Sequence, residues 1–216
     1  LVALAKSGAN NTVKENAAGA LWRISIENKD NQSAITKLGG IEPLVALAKG
    51  TDPQKENAIG CMRNLSVTTE NQIALAKAGA IDPVIALCTG GTEARRENAC
   101  ATIRNLSIVS ENRTPMAKAG AIKPLVEFCK GGNDGQKEHA GAALWALCAG
   151  NVENRKLCAA AGAIAPLILL AKNGPKDVIK ENAAGALWRI CIENNDNQAA
   201  VEKGGGVPPL VAMLKG

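Results

Sequence analysis

The stretch VKENAAGALWRISIEN, Val13 to Asn28, returns almost unchanged as IKENAAGALWRICIEN, Ile179 to Asn194, with Ile179 in the place of Val13 and Cys191 in that of Ser25. The two tryptophans, Trp22 and Trp188, stand 166 residues apart, too far for local duplication of one element. Three weaker copies lie between them: QKENAIGCMRNLSVT from Gln54, RRENACATIRNLSIV from Arg95 and QKEHAGAALWALCAG from Gln136. The basic residue opening each copy falls at Lys14, Lys55, Arg96, Lys137 and Lys180, in steps of 41, 41, 41 and 43. A period of that length marks a repeat array, in which no unit can bury its apolar face alone.

Composition fits helix-on-helix packing. The 216 residues are 46% hydrophobic with one Phe, three Trp and no Tyr, so burial comes from many small Ala, Leu, Ile and Val contacts. A net charge of +5 permits an acidic partner without demanding one. None of the seven cysteines has CxxC spacing and there is one histidine, so neither a metal site nor a cofactor is expected. Cys88 and Cys129 replace Ala48 and Ala171 of other copies, and Cys148 and Cys191 replace Ser25, Ser66 and Ser107. They read as small buried residues in a reducing compartment, cytoplasmic and/or nuclear. No signal peptide and no run long enough to insert in a membrane is seen.

One full period, Glu70 to about Ile108, predicts three helices. The first covers about Asn71 to Ala78 and stops at Gly79. The second starts at Ile81 with Pro83 in its first turn, where a missing N–H costs little. The third spans about Glu93 to Ile108, with Ala99, Thr102, Ile103 and Leu106 on one buried face. The proline recurs as Pro43, Pro83, Pro124, Pro166 and Pro209. Pro115 departs from the pattern and is expected to delay or kink its helix.

The pattern GAIxPLVxLxK, a short loop, then KENAAGALxNLSxxxENxxxI resembles the armadillo repeat, closest in style to beta-catenin-like and plant or fungal armadillo scaffolds. Two-helix HEAT repeats are the runner-up. The resemblance implies an all-α, right-handed superhelical solenoid of three-helix repeats of about 42 residues. One array is expected over 1–216, with partial repeats at 1–28 and 195–216 and full ones at 29–69, 70–110, 111–152 and 153–194. It looks like a segment of a longer solenoid. Its apolar ends, LVALA and VPPLVAML, are expected to self-associate end to end.

In the family the third helices line a concave groove, and an asparagine nine residues after the opening basic residue holds an extended peptide's main chain. Position nine here reads Arg23, Asn64, Asn105, Ala146 and Arg189, and position eight Trp22, Arg63, Arg104, Trp145 and Trp188. An amide pairs with both peptide groups, tryptophan clamps aliphatic or cationic side chains, and arginine takes carboxylates in a fork. Packing of Trp on the next repeat, and pairing of Arg63 or Arg104 with the glutamates of position one, are the rival structural roles. Position two, Asn16, Asn57, Asn98, His139 and Asn182, is expected to bond locally to its own backbone.

The groove candidates are therefore Trp22, Arg23, Arg63, Asn64, Arg104, Asn105, Trp145, Trp188 and Arg189. The expected partner is a protein or extended peptide of acidic character. Five third helices about 8 to 10 Å apart span roughly 40 Å, the reach of about a dozen extended residues. No small-molecule substrate is expected, because no catalytic set converges on His139 and the glycines of KGGNDG follow a helix rather than a strand. A nucleic-acid partner is disfavoured by scattered charge and few aromatics. A nuclear-import adaptor and a membrane-tethered or adhesion armadillo protein are the alternatives. The adaptor pattern has Trp one turn before the groove Asn, where this chain has Gly19, Gly60, Ala101, Ala142 and Gly185.

All seven cysteines should be reduced in freshly purified protein. Non-reducing mass spectrometry should find no stoichiometric internal disulfide.

Overall fold

The computed structural model describes residues 1–214. The described residues form helices in repeating threes after an opening pair, α1 (Val2–Ser7) and α2 (Asn11–Ile24). There follow α3 (Lys29–Lys37), α4 (Ile41–Leu47) and α5 (Asp52–Leu65), then α6 (Thr69–Lys77), α7 (Ile81–Ala86) and α8 (Glu93–Leu106). Next come α9 (Ser110–Lys118), α10 (Ile122–Gly131) and α11 (Asp134–Cys148), then α12 (Val152–Ala160), α13 (Ile164–Asn173) and α14 (Asp177–Cys191), and finally α15 (Asn195–Lys203) and α16 (Val207–Met213). The chain divides into two compact units, Leu1–Asn112 and Arg113–Gly216. In the first, third helix α2 packs on α5 and α5 on α8; in the second, α11 packs on α14.

Each first helix turns into the second at a glycine of positive φ, such as Gly79 at 77° and Gly120 at 91°, where an L side chain would be strained. The buried stripe of the third helix is as the spacing predicts: Ala99, Thr102, Ile103 and Leu106 are all buried. Pro115 does not delay its helix, which starts at Ser110 and runs through the proline to Lys118.

The joint from each third helix to the next first helix repeats in atomic detail. An asparagine amide donates to a carbonyl at the third helix's end: Asn31 to Ile24, Asn71 to Leu65, Asn112 to Leu106, Asn154 to Leu147 and Asn197 to Ile190, at 2.7 to 3.0 Å. The next side chain takes the following carbonyl: Gln32 that of Ser25, Gln72 that of Ser66, Arg155 that of Cys148 and Gln198 that of Cys191. These carbonyls have no acceptor role left inside their own helix.

All seven cysteines are free and only Cys191 is less than fully buried. Burial pushes the thiols of Cys61, Cys88 and Cys129 up to about 12. Cys148 and Cys158 lie with sulfurs 3.4 Å apart, a contact that raises Cys158 further. A thiol with a raised folded pKa keeps its proton in the native state. Its contribution to stability is intact below the unfolded value, 9.0, and is lost as pH rises toward about 12. The urea midpoint should therefore fall between pH 9 and 11, and fall less in Cys61→Ala. Equilibrium unfolding at stepped pH checks this.

Candidate functional site

Position five of a third helix sets how closely the preceding helix can approach. Gly60 has no side chain, and the Trp22 indole lies against it: a methyl built there would stand 2.3 Å from the ring. In the second unit the Trp145 indole covers Gly185 in the same way, at 2.6 Å. Both tryptophans are half-buried; the ring of each packs on the next repeat. Trp188 is 57% exposed. The Arg23 guanidinium stands 4.6 Å over the Trp22 ring and that of Arg189 4.3 Å over Trp188, cation–π contacts made within the chain itself.

The close approach brings backbone and side chains of successive third helices within hydrogen-bond reach. Asn64 donates to the Trp22 carbonyl at 3.3 Å and to the Ser25 hydroxyl at 3.0 Å, and Asn105 donates to the Ser66 hydroxyl at 3.0 Å. Each serine in turn donates to its own helix, Ser25 to the Trp22 carbonyl and Ser66 to the Arg63 carbonyl. The two acceptors lie only 2.7 Å apart, so Asn64 directs one side of its amide nitrogen into the fold, and its carbonyl oxygen is the part that can meet a ligand N–H. The sequence holds the signal for this clasp, a serine eleven residues after the basic residue in the repeat before each asparagine.

Of the position-two residues, Asn57, Asn98 and Asn182 bond across repeats instead of locally. Asn57 donates to the Glu15 carbonyl and Asn182 to the Glu138 carbonyl, each at 3.1 Å. Asn98 accepts from Arg63 at 2.7 Å, so the partner of Arg63 is an amide rather than a position-one carboxylate. The Glu56 carboxylate accepts from the Thr92 hydroxyl. Nearby, the exposed Asp52 carboxylate takes Arg95 at 2.9 Å, and that bond holds Asp52 below the usual carboxylate range.

The expected groove residues separate by unit. Trp22, Arg23, Arg63, Asn64, Arg104 and Asn105 lie on α2, α5 and α8 of the first; Trp145, Trp188 and Arg189 lie on α11 and α14 of the second. Arg63 is half-buried, while Arg23 and Arg104 are exposed. Position twelve adds Ile26, Val67 and Ile108, exposed by 45 to 55%. Their regular spacing was visible in the sequence, but their exposure was not. Among the described residues no group of three His, Cys, Asp or Glu side chains could hold a metal ion, and no single helix is long and apolar enough to cross a membrane.

The sequence pattern described as Armadillo/beta-catenin-like repeat matches residues 68–108 and 151–192. No curated protein matches the chain by sequence. Among solved structures, a designed armadillo repeat protein is 26% identical, with a TM-score of 0.86 over 98% of this chain and 89% of its own. One of a set of computationally designed armadillo repeat proteins for modular peptide recognition is 25% identical, with a TM-score of 0.90 over 100% of this chain and 91% of its own. A third designed armadillo protein, in complex with the peptide (KR)4, is 22% identical, with a TM-score of 0.84 over 98% and 89%.

The glycines under the indoles generate a stability prediction. Gly60→Ala and Gly185→Ala should each cost about 1 to 3 kcal/mol by overpacking. Gly19→Ala, whose methyl meets the Asn57 side chain at 3.2 Å, should stay within about 1 kcal/mol of wild type, helped by helix propensity. Urea denaturation of the three variants, with Trp22→Ala added to Gly60→Ala to relieve the clash, measures the difference.

Proposed function

We propose that this chain, an array of armadillo repeats, is a non-catalytic scaffold that binds an extended acidic segment of another protein along α2, α5 and α8. The observation that carries the reading is the stacking of Arg23 on Trp22. The indole that could clamp a ligand cation already holds the chain's own guanidinium, and Arg63 and Arg104 follow at the next two repeats. A lysine-rich segment would meet three like charges, whereas a carboxylate would be attracted by them.

The other groups suit an extended chain. The carbonyl oxygens of Asn64 and Asn105 can accept main-chain N–H groups without reading sequence, and Ile26, Val67 and Ile108 offer aliphatic contact beside them. The designed relatives for modular peptide recognition support peptide binding as the mode. The fold-mate that holds (KR)4 has a ligand of the opposite charge to the one proposed here. A reducing compartment, cytoplasm or nucleus, agrees with seven free thiols.

The nuclear-import reading has one observation in its favour. Trp22 reaches from the preceding repeat onto Gly60, placing an indole one turn before Asn64 although the sequence has glycine there. Arg23 covers that ring, which is why the acidic reading is preferred.

Titration of acidic, neutral and basic dodecamers separates the two. Arg104→Glu should weaken the acidic peptide by about 1 to 2 kcal/mol at low salt, because an exposed attraction of up to about 1 kcal/mol becomes a repulsion of similar size. The loss should shrink at high salt. Arg23→Ala should raise affinity for the basic peptide. Tightest binding of the basic peptide to wild type, or no response of the acidic one to Arg104→Glu, would overturn the proposal.

A further inference from the structure

Two side chains of α5 reach toward α8, and they carry opposite charges. Near the start of α5 the Glu56 carboxylate accepts from the Thr92 hydroxyl at 2.8 Å. Near its end the Arg63 guanidinium donates to the Asn98 amide oxygen at 2.7 Å. The step from Glu56 to Arg63 falls about 20° short of two full turns, so the two share one face and stand about 10 Å apart along the helix. The same step leads from Glu97 to Arg104 on α8, and on α2 from Glu15 to Trp22, whose ring lies under the Arg23 guanidinium.

Because α2 packs on α5 and α5 on α8, these residues form two rows across the first unit. Glu15, Glu56 and Glu97 make an acidic row toward the starts of the helices, and all three are half-buried. Arg23, Arg63 and Arg104 make a basic row toward their ends. The cations next in sequence to two of the glutamates are held elsewhere, Lys55 by Asp52 at 3.6 Å and Arg96 by the Gly91 carbonyl at 2.8 Å. The acidic row therefore keeps its sign, and a ligand drawn to the arginines also meets it.

We infer that the segment bound along α2, α5 and α8 alternates acidic and basic residues, with its acids on the arginine row and its lysines or arginines on the glutamate row. The inference rests on the peptide-binding proposal and refines its ligand. Successive side chains of an extended chain point to opposite sides, so a main chain lying between rows about 10 Å apart sends every second side chain to each. A purely acidic segment would turn half of its carboxylates toward Glu15, Glu56 and Glu97. Strict alternation removes that repulsion and replaces it with attraction. Such a pattern reads the same in both chain directions, so the rows select the composition of each edge and leave the ligand's direction to other contacts.

Fluorescence polarisation of three labelled dodecamers at low salt tests it: glutamate alternating with lysine, glutamate alternating with serine, and a block of glutamates followed by an equal block of lysines. The first should bind wild type about 10-fold more tightly than either of the others, the combined effect of a few exposed ion pairs. Glu15→Gln with Glu56→Gln should weaken the alternating glutamate–lysine peptide about 5-fold and tighten the glutamate–serine peptide. Glutamine keeps an oxygen for the Thr92 hydroxyl, and circular dichroism should show the double variant folded. Responses of opposite sign in one variant are beyond what a general loosening of the fold produces. A block peptide that binds as tightly as the alternating one, or a double variant that moves both alternating peptides in the same direction, would overturn the inference and leave the acidic scaffold standing. Binding of none of the three would overturn that scaffold and the inference with it.

Discussion

The hydrogen bond from a first-helix asparagine to the last carbonyls of the preceding third helix, made five times from Asn31 to Asn197, is the constraint on which the stacking rests. A helix end leaves carbonyls without partners, and burying one unpaired costs about 1 to 3 kcal/mol. The asparagine answers that need while fixing the chain's exit toward the next repeat. Because the neighbouring Gln or Arg side chain takes the following carbonyl, the joint is held at two points and the next third helix arrives in register with the last.

Register then decides what the third helices can do to one another. At Gly60 and Gly185 an indole from the preceding repeat fills the space and the backbones approach. Where a serine hydroxyl precedes, the asparagine of position nine is drawn into a clasp between helices. The second unit has Cys148 in place of that serine and Arg189 in place of that asparagine, and it keeps the indole stack of Trp145 on Gly185 without that clasp. Packing and recognition thus compete for the same side chains, with the amide nitrogen of Asn64 turned into the fold and its oxygen left for a ligand.

The charge of the surface follows from the same competition. Arg63 is anchored through Asn98 and Arg23 through the Trp22 ring, so two cations are held at fixed places on successive third helices instead of moving freely in solvent. Anchored charges lose less side-chain entropy on meeting a carboxylate than free ones do. A regular row of aliphatic residues at position twelve adds contact area that a purely electrostatic surface would lack.

Much of this was legible in the residues alone. The 41- to 43-residue period, the glycine and proline at each corner, and the buried face Ala99, Thr102, Ile103 and Leu106 required only local rules of helix punctuation and spacing, and those determine the repeat and its type. What the residues alone left open was every contact between repeats. Trp22 against Gly60, Asn64 against Ser25 and Arg63 against Asn98 join positions 35 to 39 apart, and Pro115 leaves the start of its helix at Ser110 undelayed. Such pairs depend on the angle at which one repeat meets the next, and that angle is settled only when the end of each third helix is closed by a side chain from the helix that follows.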